Sequence, residues 1–135
     1  QGDPTTRARF FTGCQNIGWT FHVASPSGRC LANLERRSRF DVNSILRLLD
    51  RTADLVRSGG TLLFSVCSME TSEGAGQIEA LLARNPTLTV DAIAPAEVPD
   101  FETCIGPEGW LQTTPAHLLD QGGVDGFFIA RLRKK

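Results

Sequence analysis

Gly59-Gly60-Thr61-Leu62-Leu63-Phe64-Ser65-Val66-Cys67-Ser68 holds a short run, Thr61 to Val66, that is mostly apolar, partly β-branched and entered through a glycine pair. Such a run predicts a strand buried on both faces in a parallel sheet. Upstream, Val42, Ile45, Leu46, Leu49, Ala53 and Val56 follow the three-four spacing of one helical face, with Asp41 or Ser44 placed to cap its start and Gly59-Gly60 to stop it. Downstream, Ile78, Leu81 and Leu82 mark a helix over Glu73 to Arg84, with Ser72 as its N-cap and Asn85-Pro86 as its end.

Leu88 to Ile93 reads as a further strand, and a long irregular stretch with prolines at 95, 99, 107 and 115 follows it. Gly126 to Leu132, containing Phe127-Phe128-Ile129-Ala130, closes the pattern as a strand. Helix, buried strand, helix, strand, long loop, strand is the rhythm of half an open α/β sheet. Residues 1–40 show no clear period; Trp19 to Ala24 fits a strand, but Gly13, Gly18, Pro26 and Gly28 interrupt its surroundings.

The 135 residues, 41% hydrophobic and 21% charged, suffice for one domain with its own core. No apolar run reaches the ~18 residues of a membrane helix, and the start has no basic-then-apolar signal organisation, so a soluble cytoplasmic protein is expected. Cysteines at 14, 30, 67 and 104 form no C-x-x-C pair and have no histidine cluster beside them, so no metal site and reduced thiols are expected. The net charge of -1 hides an asymmetry: residues 1–60 carry nine arginines against five acids, while 61–135 carry five basic residues against ten acidic ones. Arg29, Arg36, Arg37 and Arg39 crowd one stretch that suits either phosphate contact or an ordinary solvated face.

In an open α/β sheet, ligands gather beyond the carboxyl ends of the strands, and Cys67 occupies that place. A thiol there is a nucleophile if a positive neighbour or a helix amino end lowers its pKa; otherwise a lone cysteine is a small buried apolar residue. The segment Leu62 to Glu70, with Glu73-Gly74 and Gln77 after it, resembles the thiol-bearing segment of the Sun/Fmu-type (RsmB/NOP-type) RNA cytosine-C5 methyltransferases, where a strand ends in a Thr-Cys-Ser or Val-Cys-Ser triplet before a glutamate-rich helix start. Arg57-Ser58-Gly59-Gly60 is similar to the family's Arg-Pro-Gly-Gly entry to that strand. Glu108-Gly109-Trp110-Leu111-Gln112-Thr113-Thr114-Pro115 and Asp125 to Leu132 resemble two further family segments, in the right order.

The resemblance spans about residues 41–135 and implies the C-terminal half of a Rossmann-like S-adenosylmethionine-dependent methyltransferase sheet, with helices on both faces and residues 1–40 a divergent or truncated segment. It implies that Cys67 is the catalytic nucleophile, adding to C6 of a cytosine so that C5 accepts a methyl group, with RNA, ribosomal by family habit, as substrate and S-adenosylmethionine as methyl donor. Glu73 matches one acidic residue after the triplet, Ser68 a turn-shaping position, and Trp110 and Phe127-Phe128 either a wall beside the base or plain core.

The family's glycine-rich cofactor loop has no counterpart here. The only G-x-G, Gly74-Ala75-Gly76, follows the thiol segment and lacks a third glycine. The family's Asp-Ala-Pro-Cys-Ser-Gly segment is matched only loosely by Val23-Ala24-Ser25-Pro26-Ser27-Gly28, and Cys30 does not inherit its cysteine's role. The alternatives are therefore a non-catalytic relic or RNA-binding accessory fragment without a cofactor site, and a small thiol or redox enzyme using Cys67 with His22 or His117. A sheet lacking its first strands also predicts self-association through unpaired edges.

Overall fold

A computed structural model describes residues 42–135 and the strand backbone of 19–24. The expected cap Asp41, Cys14, Cys30, the arginines at 29, 36, 37 and 39, and the Ser25 to Gly28 part of the loosely matched segment lie outside the described residues. The elements are β1 (Trp19–Ala24), α1 (Val42–Leu55), β2 (Thr61–Val66), α2 (Ala75–Arg84), β3 (Leu88–Val90), β4 (Leu111–Gln112) and β5 (Phe128–Lys134), with one-turn 3-10 helices in the connection after β3 and again before β5.

The strand order is β1-β2-β5-β3, and β4 also pairs with β5. Every pairing among these strands is antiparallel. The expectation of a parallel sheet with β2 buried on both faces is thus corrected: β2 alternates, with Leu62, Phe64 and Val66 buried and Thr61, Leu63 and Ser65 half-buried. The cause is β5. Strands β2 and β3 run in the same direction, as a helical crossover between them requires, but β5 arrives from the far end of the sequence and occupies the slot between them.

Helix α1 forms where the three-four pattern places it, burying Ile45, Leu49 and Ala53, with Val56 buried just beyond its end. Gly59 stops the chain's helical course with φ 74°, and its N–H donates to the Lys134 carbonyl at 2.8 Å. Helix α2 buries Ile78 and Leu81. Both helices meet one sheet face, formed by Leu62, Phe64 and Val66 of β2 and Phe128, Ala130 and Leu132 of β5, with Leu88 joining. Helices on both faces are therefore not what the described residues form; both lie on the same one. The opposite face carries Ile129, covered by a smaller cluster of Ile93 and Cys104 from the connection after β3 and Leu111 of β4.

Each fully buried Leu or Phe in the main core contributes about 1.5–3 kcal/mol relative to exposure. The ion pair between Arg84 of α2 and Asp50 of α1, at 2.9 Å and half-exposed, adds little beside that.

Candidate functional site

Cys67 is the first residue beyond β2, half-buried and carrying a thiol that is in no disulfide. The chain then reverses. The Ser68 hydroxyl accepts the Glu70 N–H at 3.1 Å, which makes Ser68 the turn-shaping residue its position suggests. The Glu70 carbonyl accepts the N–H groups of Glu73 and Gly74, both at 3.0 Å, and the Thr71 carbonyl accepts that of Gly76 at 2.8 Å. Ser72 is not the cap of α2: the cap position is Gly74, no side chain caps it, and the turn's own carbonyls satisfy the first N–H groups.

The turn is held from two sides. From α2, the buried Gln77 donates Nε2–H to the Ser72 carbonyl at 2.7 Å. From β4, Gln112 Nε2 lies 3.0 Å from the Phe127 carbonyl, 3.2 Å from its neighbour Thr113's and 3.4 Å from Ser68's. Thr113, also buried, donates its hydroxyl to the Asp125 carbonyl at 2.7 Å and accepts the Phe127 N–H at 2.9 Å. The three segments singled out in the sequence thus converge at the carboxyl end of β2.

Glycines permit the convergence. A Cβ on Gly74 would sit 2.9 Å from the Phe128 ring, and one on Gly126 would sit 2.6 Å from Met69 Cγ. Met69 is nonetheless 58% exposed, two residues from the thiol. Glu73 is half-buried beside the same turn. Phe128 belongs to the core, stacked obliquely on Phe64 and Trp110 with ring centres 6.1 and 5.7 Å away. Trp110 packs against that core too, while Phe127 is half-buried.

His117 is committed locally: its Nδ1 accepts the Thr114 N–H at 2.9 Å and lies 3.0 Å from the Thr114 hydroxyl. Cys104, buried under the opposite face, has its thiol pKa pushed up by burial. No group of three metal-ligating side chains exists among the described residues. No helix among them is long and apolar enough to cross a membrane.

Gly74-Ala75-Gly76 does not fit a bound S-adenosylmethionine. The glycines of Gly74-Ala75-Gly76 are spent on packing, Gly74 against Phe128 and Gly76 against the Thr71 carbonyl, so this G-x-G leaves no cradle for a ligand. Gln112 and Thr113 stand inside the Glu108 to Pro115 segment, and their residue types alone assign them no task. Their signal was polar side chains beside a future strand, and only the docking of β4 on β5 discloses their partners.

The family described as 16S rRNA methyltransferase RsmB/F matches residues 36–133. A probable ribosomal RNA small subunit methyltransferase B of Bacillus subtilis is 34% identical over 90 residues, covering 67% of this chain and 19% of that protein. The ribosomal RNA small subunit methyltransferase B of Thermus thermophilus is 33% identical over 66% of this chain and 20% of its own length. The ribosomal RNA small subunit methyltransferase F of Aeromonas salmonicida is 34% identical over 64% and 17%. This chain therefore spans about a fifth of the length of these relatives. The crystal structure of PH0851 superposes with a TM-score of 0.53 at 28% identity, over 73% of this chain and 21% of that one.

Proposed function

The chain belongs to the 16S rRNA methyltransferase RsmB/F family, and from that membership we propose that residues 41–135 carry the thiol side of an RNA cytosine-C5 methyltransferase with Cys67 as its nucleophile. The observation that supports this reading is the convergence of the Cys67, Gln112 and Asp125–Phe127 segments at the end of β2, which gives the thiol a turn tied on both flanks.

The chemistry asks this of the chain: the Cys67 thiolate forms a bond from Sγ to C6 of the base, and the C5=C6 electron pair moves to C5. Cytosine C5 is too electron-poor to take a methyl group unaided, so this addition is the step that makes it reactive. Once that pair has formed the C5–methyl bond, loss of the C5 proton to a base leaves the C5–H pair to re-form C5=C6 and release the thiolate. The substrate in this reading is small-subunit ribosomal RNA and the setting cytoplasmic. The methyl donor is S-adenosylmethionine, and since Gly74-Ala75-Gly76 leaves no cradle for it, its site is assigned to none of the described residues.

The test is covalent trapping. A 16S rRNA transcript containing 5-azacytosine is expected to form a denaturation-resistant complex with the chain, lost in Cys67→Ser and kept in Cys104→Ser. A complex that survives Cys67→Ser overturns the assignment. The packed glycines of Gly74-Ala75-Gly76 favour a second reading, an accessory fragment that keeps RNA contacts without transfer; it requires RNA binding by the wild type, an absent adduct and no heat on titration with S-adenosylmethionine.

A further inference from the structure

We infer that Gln112 is a positioning residue for the Cys67 thiol, acting through the carbonyl of Ser68; the inference rests on reading Cys67 as the nucleophile.

Its place is set by β4. That strand has only two residues, and Leu111 is buried in the smaller cluster opposite Ile129. Alternation then sends Gln112 to the other face, opposite Phe128, the face over which the turn from β2 to α2 passes with Gly74 on the Phe128 ring. An amide nitrogen carries two hydrogens, and here three carbonyls lie within reach of it. The Phe127 contact at 3.0 Å and the Thr113 contact at 3.2 Å fix the amide to the entrance of β5. The Ser68 contact at 3.4 Å is the longest, and it is the one that reaches the residue after the thiol.

Gln112 therefore links the peptide after Cys67 to the strand that pairs with β2, so the thiol's turn and the sheet move together. The Thr113 hydroxyl braces the same junction through Asp125 and Phe127, both of which lie off the thiol's turn. Two neighbouring polar residues thus divide the work: one braces the β4–β5 junction, and the other also holds the Ser68 peptide. Addition to C6 demands placement of sulfur to a fraction of an ångström, and a misplacement of about 1 Å costs on the order of a hundredfold in rate.

The experiment measures the rate of adduct formation by the 135-residue chain with the 5-azacytosine transcript. There Sγ bonds to C6, and the C6=N5 electron pair passes to N5, which takes a proton from water, so no methyl donor enters. Gln112→Met keeps the side chain's bulk and removes its donors, and it is expected to slow adduct formation by about tenfold or more. Thr113→Val is the comparison: it lowers the thermal midpoint, yet traps at the wild-type rate at a temperature where both variants are folded. Gln112→Glu, near-isosteric, sets a carboxylate against the Ser68 carbonyl and is expected to move the pH profile of Cys67 alkylation by iodoacetamide upward by about one unit.

Trapping by Gln112→Met at the wild-type rate, or equal slowing in Gln112→Met and Thr113→Val, overturns the inference and leaves the nucleophile assignment standing. An unmoved alkylation profile in Gln112→Glu overturns it as well, even if Gln112→Met does not fold. A wild-type chain that forms no adduct at all overturns the nucleophile reading itself, and the inference with it.

Discussion

Gly74 and Phe128 meet so closely that the glycine has no room for a side chain: a Cβ would lie 2.9 Å from the ring's Cγ. The turn behind the thiol is thereby seated on the strand that completes the sheet. Gly74→Ala is expected to destabilise the fold by about 1–3 kcal/mol through overpacking. Chemical denaturation measures this, and the double variant Gly74→Ala/Phe128→Leu is expected to recover part of the loss. A Gly74→Ala midpoint equal to wild type would show that the contact relaxes freely.

Phe64 and Leu63 test the sheet's sidedness. Phe64 is fully buried between the sheet and the helices, whereas Leu63 faces the other way and is half-buried. Phe64→Ala is expected to cost about 3–5 kcal/mol and Leu63→Ala clearly less. Equal costs would mean that β2 is covered alike on both faces.

Glu97 and Arg131 predict an acid limb. Arg131 donates to both Glu97 carboxylate oxygens, at 2.8 and 3.0 Å, and the Ala94 N–H donates to Oε2 at 2.8 Å. These bonds, Arg131's first, hold the Glu97 pKa at about 2 against an ordinary 4.5. The folded state binds the proton less readily than the unfolded one, so the contribution is fully present above pH 4.5 and is lost as pH falls towards 2. In Glu97→Gln, stability plotted against pH is expected to be flatter over that window, as followed by thermal melts; an unchanged slope would remove Glu97 from the account.

The two described thiols should separate kinetically. Cys104 is buried with its pKa raised, and Cys67 is half-buried in the turn after β2. Iodoacetamide is expected to label Cys67 about tenfold faster than Cys104 in the folded chain, as peptide mass mapping would reveal. Faster labelling of Cys104 would mean that the smaller cluster opens more readily than the thiol's turn.

How far these features were legible in the sequence differs by element. Helix α1 largely was: of its predicted face, Ile45, Leu49, Ala53 and Val56 are buried and Leu46 is half-buried, while Thr52, outside that face, is buried as well with its hydroxyl donating to the Leu48 carbonyl. The bounds of β2 were legible as well, but not its partners. A run with only Thr61 and Ser65 to interrupt it looks alike whether its neighbours run parallel or antiparallel, and the strand beside it comes from more than sixty positions later. The place of Cys67 followed from the end of β2. Gln112 did not follow, because a two-residue strand carries no periodicity and its hydrogen bonds exist only after three distant segments meet. Residue type favours Ser72 as a cap, yet the Glu70 and Thr71 carbonyls take the amide groups instead.

The position of β5 also dictates an order of events. Its residues 128–134 are made after every other described element, yet they lie between β2 and β3 and contact β4 as well. Until they emerge and insert, β2 and β3 have no common neighbour, β4 has no strand to dock on, and Gln112 has no Phe127 carbonyl to grip. Long-range closure of this kind is slow and leaves strand edges open meanwhile. A chain still being synthesised can present the sulfur of Cys67 but not the braced turn around it, so the thiol's setting is completed last, when the sheet closes.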